Sequence, residues 1–317
     1  MTRHFRHLLE YAAFRGLVAV IHAMPLRLID AGSTVLAFVI HRLLPGRLTR
    51  REIAVENLHR AFGDSIDTDR IIGQMWQHLF RTIGEIIHLQ RRLSRTSYLR
   101  YIRFRNRDPV VAALCSDRPV IMLSGHLGNW ELAVWIFGLF GFSMGVVARR
   151  LDNPYLDRYF IRFRSNTGHD LLDKSGASGE MIERLESAGR LALLCDQDAG
   201  SHGLFVDFFG HPASTFKSIA LLALRHEAII CVGYAIRLDR NNGPERFEVG
   251  CEELIDAGAI DDKNPVLALT RQYTAALERV IHRAPEQYFW IHRRWKSQPG
   301  RRRSRRGPTV SATSWAA

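Results

Sequence analysis

The sequence predicts an α/β fold: a largely parallel or mixed sheet flanked by helices, preceded by an N-terminal helical segment that associates with a membrane. Three observations carry this. From residue 119 onward, short apolar runs bounded by Gly, Pro or charge alternate with stretches whose apolar residues recur at helical spacing, the pattern of strand–helix–strand units. Residues 68–92 place Ile71, Ile72, Met75, Leu79, Ile83, Ile86 and Ile87 at helical spacing. The first 45 residues are apolar but broken by Arg15, His22, Pro25, Arg27 and Asp30, so no charge-free run reaches the roughly 18–20 residues of a spanning helix.

Taken in order, residues 1–48 read either as two amphipathic helices lying in the membrane interface with their arginines at headgroup depth, or as a helical hairpin packed on the core. A small-residue cleavage site after a charged start, the mark of a removed signal peptide, is not found. Helices follow near 49–62 and 68–92. "PVIML" (119–123) is a buried strand, and 129–141 a helix ended by glycine. Strands at 144–149, 190–196, 228–238 and 246–253 then alternate with helices at 154–168, 179–189, 215–227 and 264–285. The expected division is membrane-associating helices at 1–48, a catalytic domain at 49–298 and a basic disordered tail at 299–317.

A chain of 317 residues, 46% hydrophobic and 24% charged, can bury a large core. Its net charge of +12 sits at the ends. Residues 293–306 hold eight Lys/Arg and no acid, and residues 1–50 hold seven Arg against Glu10 and Asp30, which leaves 51–292 at −1. That distribution suits ends held on an anionic surface. It argues against nucleic acid as a partner, since the body has neither net positive charge nor a recognised binding module. Cys115, Cys195, Cys231 and Cys251 lack CxxC spacing and read as buried free thiols.

The chemistry is concentrated in "SGHLGNWE" (124–131), just after the first buried strand, where reacting groups collect in such folds. On a continuous helix His126 and Glu131 would point about 140° apart at about 100° per residue. If His126 lies in the glycine-flanked turn and the helix starts near Asn129, the imidazole folds back over the first turn, where Glu131 stands. Glu131 would then accept from one ring nitrogen and leave the other as a base. A plain structural hydrogen bond is the competing reading. The absence of G-x-S-x-G and of HExxH points away from a serine hydrolase or zinc protease. A His/Glu pair without a protein nucleophile suits direct transfer, in which an acceptor hydroxyl attacks an activated acyl group.

H-x4-E after a buried strand resembles the glycerolipid acyltransferase superfamily. "HLGNWE", "RRLDNPYLDRYFIRFRSNTG", "LLCDQDAGSHGLFVDFFGHPAST" and "PEQYFWIHRRWKSQP" occur in the order of its lipid A biosynthesis (lauroyl/myristoyl) acyltransferases and cover roughly residues 5–300. The resemblance implies a glycerolipid-acyltransferase-like α/β sheet and peripheral attachment to the inner face of the cytoplasmic membrane. It also implies an acyl carrier protein thioester as donor, a lipid A precursor hydroxyl as acceptor, and no metal or other cofactor. By position it makes His126 the base and Glu131 its orienting partner. Arg149 and Arg164 would hold acidic groups of donor or acceptor, and Asp196 and Gln197 would line the pocket; a solvated helix face is the plain alternative for each arginine. Asp196, Asp198, Asp207, His202 and His211 meet no recognised metal-ligand spacing. Asp207 and Lys217 depart from the family's residues and leave another glycolipid or aminolipid open as acceptor. Phe208-Phe209-Gly210 reads as core or acyl-pocket wall. Trp290, His292, Arg293, Arg294, Trp295 and Lys296, placed together at the end of the last helix, suit a membrane headgroup layer or an acidic carrier protein, or else aromatics packed inward.

Overall fold

In the computed structural model, which describes residues 3–173, 176, 178–238 and 247–300, the apolar runs pair into one seven-stranded sheet and a separate hairpin. The strands are β1 (Ile102–Arg105), β2 (Val120–Ser124), β3 (Gly145–Ala148), β4 (Asp170–Asp173), β5 (Arg190–Leu194), β6 (Leu204–Phe208), β7 (His211–Thr215), β8 (Ile229–Arg237) and β9 (Phe247–Asp256). The helices are α1 (Arg3–Ala23), α2 (Leu26–Phe38), α3 (Gly46–Thr49), α4 (Arg51–Phe62), α5 (Thr68–Arg92), α6 (Arg107–Leu114), α7 (Trp130–Leu139), α8 (Pro154–Ser165), α9 (Ser178–Glu186), α10 (Lys217–Arg225) and α11 (Pro265–Arg283).

The sheet order is β1-β9-β8-β2-β5-β3-β4, parallel throughout except for the antiparallel β8/β9 pair. The central strand β2 buries Val120, Ile121, Met122 and Leu123 in succession, as a strand covered on both faces must. Ile121 and Leu123 join the core beneath α10 and α11, while Val120 and Met122 face α6 and α7. β1, β4, α6 and the β6/β7 hairpin were not among the elements expected. β1 and β4 are four-residue edge strands, IRFR and DLLD, whose charge hides the signal. The hairpin turns at Phe209 and Gly210, both at positive φ; Gly is usual there and Phe is not, so "FFG" reads poorly as a turn. Phe208 is core, as expected.

The N-terminal helices pack on the core and carry exposed apolar residues. α2 lies along α5, with Asp30 paired to Arg81 at 2.9 Å, and α1 reaches α5 and α8. Among the described residues eighteen large hydrophobic side chains are exposed, and twelve of them fall within residues 5–48, among them Leu36, Phe38, Leu43 and Leu48. Among the described residues no helix is long and apolar enough to cross a membrane.

The last helix ends at Arg283, and the segment after it does not display its aromatics. Trp290, Arg294 and Trp295 are buried. Arg294 donates to the Ser214 carbonyl at 2.6 Å and to Thr215 Oγ1 at 2.7 Å, with its guanidinium over the Phe208 ring. The Asn57 amide of α4 donates to the Trp290 and His292 carbonyls, both at 2.7 Å. Of the cations expected on that surface, Arg293 and Lys296 remain exposed. Residues 301–317 of the basic tail lie outside the described residues. All four cysteines are free; Cys115 is exposed, against the expectation of burial, and the other three are buried.

Candidate active site

Parallel pairing of β2 with β5 builds the site. Their register sets Ser124 opposite Leu194, and Cys195 N–H donates to the Ser124 carbonyl at 2.9 Å. Two residues beyond each strand end stand His126 and Asp196, side by side where the central strands open into loops. Asp196 Oδ1 lies 2.8 Å from His126 Nδ1, and Oδ2 accepts the His126 backbone N–H at 2.7 Å. An ionised carboxylate only accepts, so Nδ1 carries the proton. Burial of Asp196 works to raise its pKa, but the His126 charge and the two hydrogen bonds from His126 outweigh it and hold the carboxyl below the usual range.

The turn needs its glycines. Gly128 has φ near +59°, and a β-carbon there would collide with the Ala235 carbonyl; at Gly125 one would sit 3.1 Å from Asp196 Oδ2. Asn129 caps α7 by accepting from Leu132 N–H at 3.0 Å. Residues 287–289 close the other side: Gly128 N–H donates to the Gln287 carbonyl, and Phe289 N–H to the His126 carbonyl, each at 3.0 Å. Behind the turn, His78 Nε2 donates to the Gly128 carbonyl at 3.1 Å while Arg237 donates to His78 Nδ1 at 2.6 Å. His78 is therefore neutral, in line with a pKa pushed well down by burial and by Arg237. Glu85 of α5 receives two hydrogen bonds from Arg237 and completes this buried support.

Glu131 does not partner Nδ1. It lies in the first turn of α7, as expected, but Arg164 of α8 takes both its oxygens, at 2.6 and 3.2 Å. The turn aims the ring at β5, and Arg164 reaches Glu131 from the side. Arg164 is accordingly neither a solvated arginine nor a free anion hook. Arg149 is exposed and paired with Asp152, a contact of small energy. Gln197 lines the cavity, whereas Asp196 lies beneath the imidazole. His292 supplies a second imidazole, its ring centroid 4.5 Å from that of His126; burial first and the His126 charge second push its pKa down to about 4. Sequence reasoning missed the supporting roles of His78, Glu85, Arg237 and Gln287, which only the sheet brings together. The one available signal was that HLGNWE and DQ each stand at the end of an apolar, strand-like run.

A cavity of about 730 Å³ opens at His126, within the size range of ligand pockets. Arg149, Arg164, Glu131 and Gln197 give it a polar end. Inward it runs between Trp130, Val134 and Phe137 of α7 and small residues of the sheet, Ala192 and Gly233, which leave room for an alkyl chain. Among the described residues no group of three or more His, Cys, Asp or Glu is placed to hold a metal.

A family model described as bacterial lipid A biosynthesis acyltransferase matches residues 1–297. The chain is 25% identical over 264 residues to a lipid A biosynthesis acyltransferase of Haemophilus influenzae, covering 79% of this chain and 78% of that protein. It is 28% identical over 186 residues to the lipid A biosynthesis lauroyltransferase of Escherichia coli, covering 57% and 58%. A phosphatidylinositol mannoside acyltransferase of Mycobacterium tuberculosis is 30% identical over 165 residues, 50% of this chain and 49% of that one.

Proposed function

The chain belongs to the bacterial lipid A biosynthesis acyltransferase family and is an acyltransferase, and from that premise we propose that it moves a fatty acyl chain from an acyl carrier protein thioester to a hydroxyl of a lipid A precursor. The observation that carries the mechanism is the His126–Asp196 pair at the mouth of an apolar cavity. With Nδ1–H held by Asp196, Nε2 is the basic nitrogen. It takes the acceptor hydroxyl proton as the oxygen attacks the thioester carbonyl. The tetrahedral intermediate expels the thiolate, the C–S bond breaks, and the imidazolium returns the proton to sulfur. Asp196 favours the required tautomer and stabilises the cation in between.

Glu131 and Arg164 clamp α7 to α8 and fix the cavity wall, while Arg149 and Gln197 meet the polar parts of donor or acceptor. Residues 1–48 seat the enzyme on the inner face of the cytoplasmic membrane, with the apolar outer surface of α1 and α2 at interface depth. A second acceptor reading, a mannosylated phosphatidylinositol, is supported by the similarity to the mycobacterial relatives. Mass spectrometry after incubation with acyl carrier protein thioesters and lipid extracts separates the two. The expected result is an acyl mass gain on the lipid A precursor, reduced about 10²- to 10⁴-fold by His126→Ala. A gain confined to the mannosylated lipid changes the acceptor, and wild-type rates in the variant end the role given to His126.

A further inference from the structure

A second cavity, of about 490 Å³, lies behind the first, between α6, the C-terminal half of α7 and the β1/β9 edge of the sheet. Phe137, Val249 and Gly250 line both and form the partition. Inside, the rear chamber is apolar: Phe104, Val110, Leu114, Ile136 and Phe142 surround it. It has its own opening, away from His126, where Val111 and Phe140 are each 38% exposed.

The opening is cationic. Arg105 lines it, is exposed, and has no ion-pair partner among the described residues. Arg107 also lines it; its partner is the neighbouring, highly exposed Asp108, a contact that holds the guanidinium weakly. Asn106 is already committed to the Cys251 carbonyl and contributes nothing. An apolar chamber sized for one chain, lined at its end by an arginine with no ion-pair partner among the described residues, matches a molecule with a long hydrocarbon tail and one anionic head, since a planar guanidinium donates two parallel hydrogen bonds to a carboxylate.

We propose that the rear chamber is a binding site for a long-chain carboxylate, such as a free fatty acid, separate from the transfer site, with its tail among Phe104, Leu114 and Phe142 and its head at Arg105. Because Phe137 is a wall of both cavities, a tail in the rear chamber presses on the slot that opens at His126. Occupancy therefore lowers the rate of transfer without competing at the imidazole. This last consequence rests on the transfer reading above; binding itself does not.

The test is displacement of a fluorescent fatty acid by tetradecanoate below its micellar concentration, on the full-length protein in neutral detergent. Saturable binding is expected in the wild type and in His126→Ala. Arg105→Glu should weaken it about tenfold or more by replacing the guanidinium with a like charge, and Val111→Trp, which fills the chamber, should abolish it. Tetradecanol should compete more weakly than tetradecanoate. Equal affinity in Arg105→Glu, equal competition by the alcohol, or absence of saturable binding in the wild type overturns the proposal, and Arg105→Glu decides if the tryptophan variant does not fold. In the transfer assay, Arg105→Glu should keep the basal rate and lose inhibition by tetradecanoate. If basal transfer is absent from every form while binding follows the expected pattern, the reading of the reaction fails and the rear site stands.

Discussion

The strand ends around His126 and the N-terminal helices both rest on α5, and they handle polarity in opposite ways. At the strand ends charge is answered by charge: the buried Asp196 by His126, the buried Glu85 by Arg237, and the partly exposed Glu131 by Arg164. On α1 and α2 large apolar side chains are exposed among the described residues. Buried charge without a partner is costly, so the first region is fixed in geometry. Exposed hydrocarbon gains by finding any apolar medium, so the second is specified by composition and tolerates changes of detail. The contrast separates a region that chooses atoms from one that chooses an environment.

That contrast can be broken at four points. Asp196→Asn keeps the shape but loses the acceptor that fixes the tautomer, and its transfer rate should fall about 10²- to 10⁴-fold with the binding of substrate little changed; single-turnover kinetics measure it. Changing Leu36 and Leu43 together to Glu should cut sedimentation with anionic vesicles by tenfold or more, because each buried leucine contributes roughly 1.5–3 kcal/mol. Transfer to a detergent-solubilised acceptor should survive. Glu131→Gln removes a carboxylate from Arg164 and should cost about 1–3 kcal/mol of stability, seen as a lower melting temperature, with a smaller rate loss than Asp196→Asn. The reverse order would return the orienting role to Glu131.

The smallest effect concerns pH. His292 stays neutral in the folded protein down to about 4, whereas an imidazole in the unfolded chain is protonated near its ordinary 6.5. Between these values the unfolded chain binds more protons, so stability is complete above about 6.5 and declines as pH falls toward 4. The slope is at most about 1.4 kcal/mol per pH unit for one group. His78, whose pKa is lowered in the same direction, adds to it. His292→Gln should flatten melting temperature against pH within that window and leave it unchanged above.

What the sequence made legible follows from the range of each interaction. β2, β5, β8, β9 and the long helices announce themselves because their apolar period is local. Asn129 as the start of α7 was readable from the glycine-flanked turn. Even there the count was imperfect: Ile83, assigned to the apolar face of α5, is 43% exposed. His126 was found because its turn follows a strand. Its partner is not Glu131, which is near in sequence, but Asp196, which strand pairing brings in. Glu131 and Arg164 were both singled out, yet nothing in their spacing shows that each is the other's partner. The inward packing of Trp290 and Trp295 depends on Asn57 and Phe208, far away along the chain.

The clasp from residues 287–289 has a consequence for biosynthesis. The HLGN turn leaves the ribosome long before Gln287, Tyr288 and Phe289, whose backbones close it through hydrogen bonds to Gly128 and His126 and a bridge to Leu127. A growing chain therefore carries His126 in an unfinished mount, and since contacts so distant in sequence close slowly, the turn reaches its final geometry only after residues 287–289 have been made.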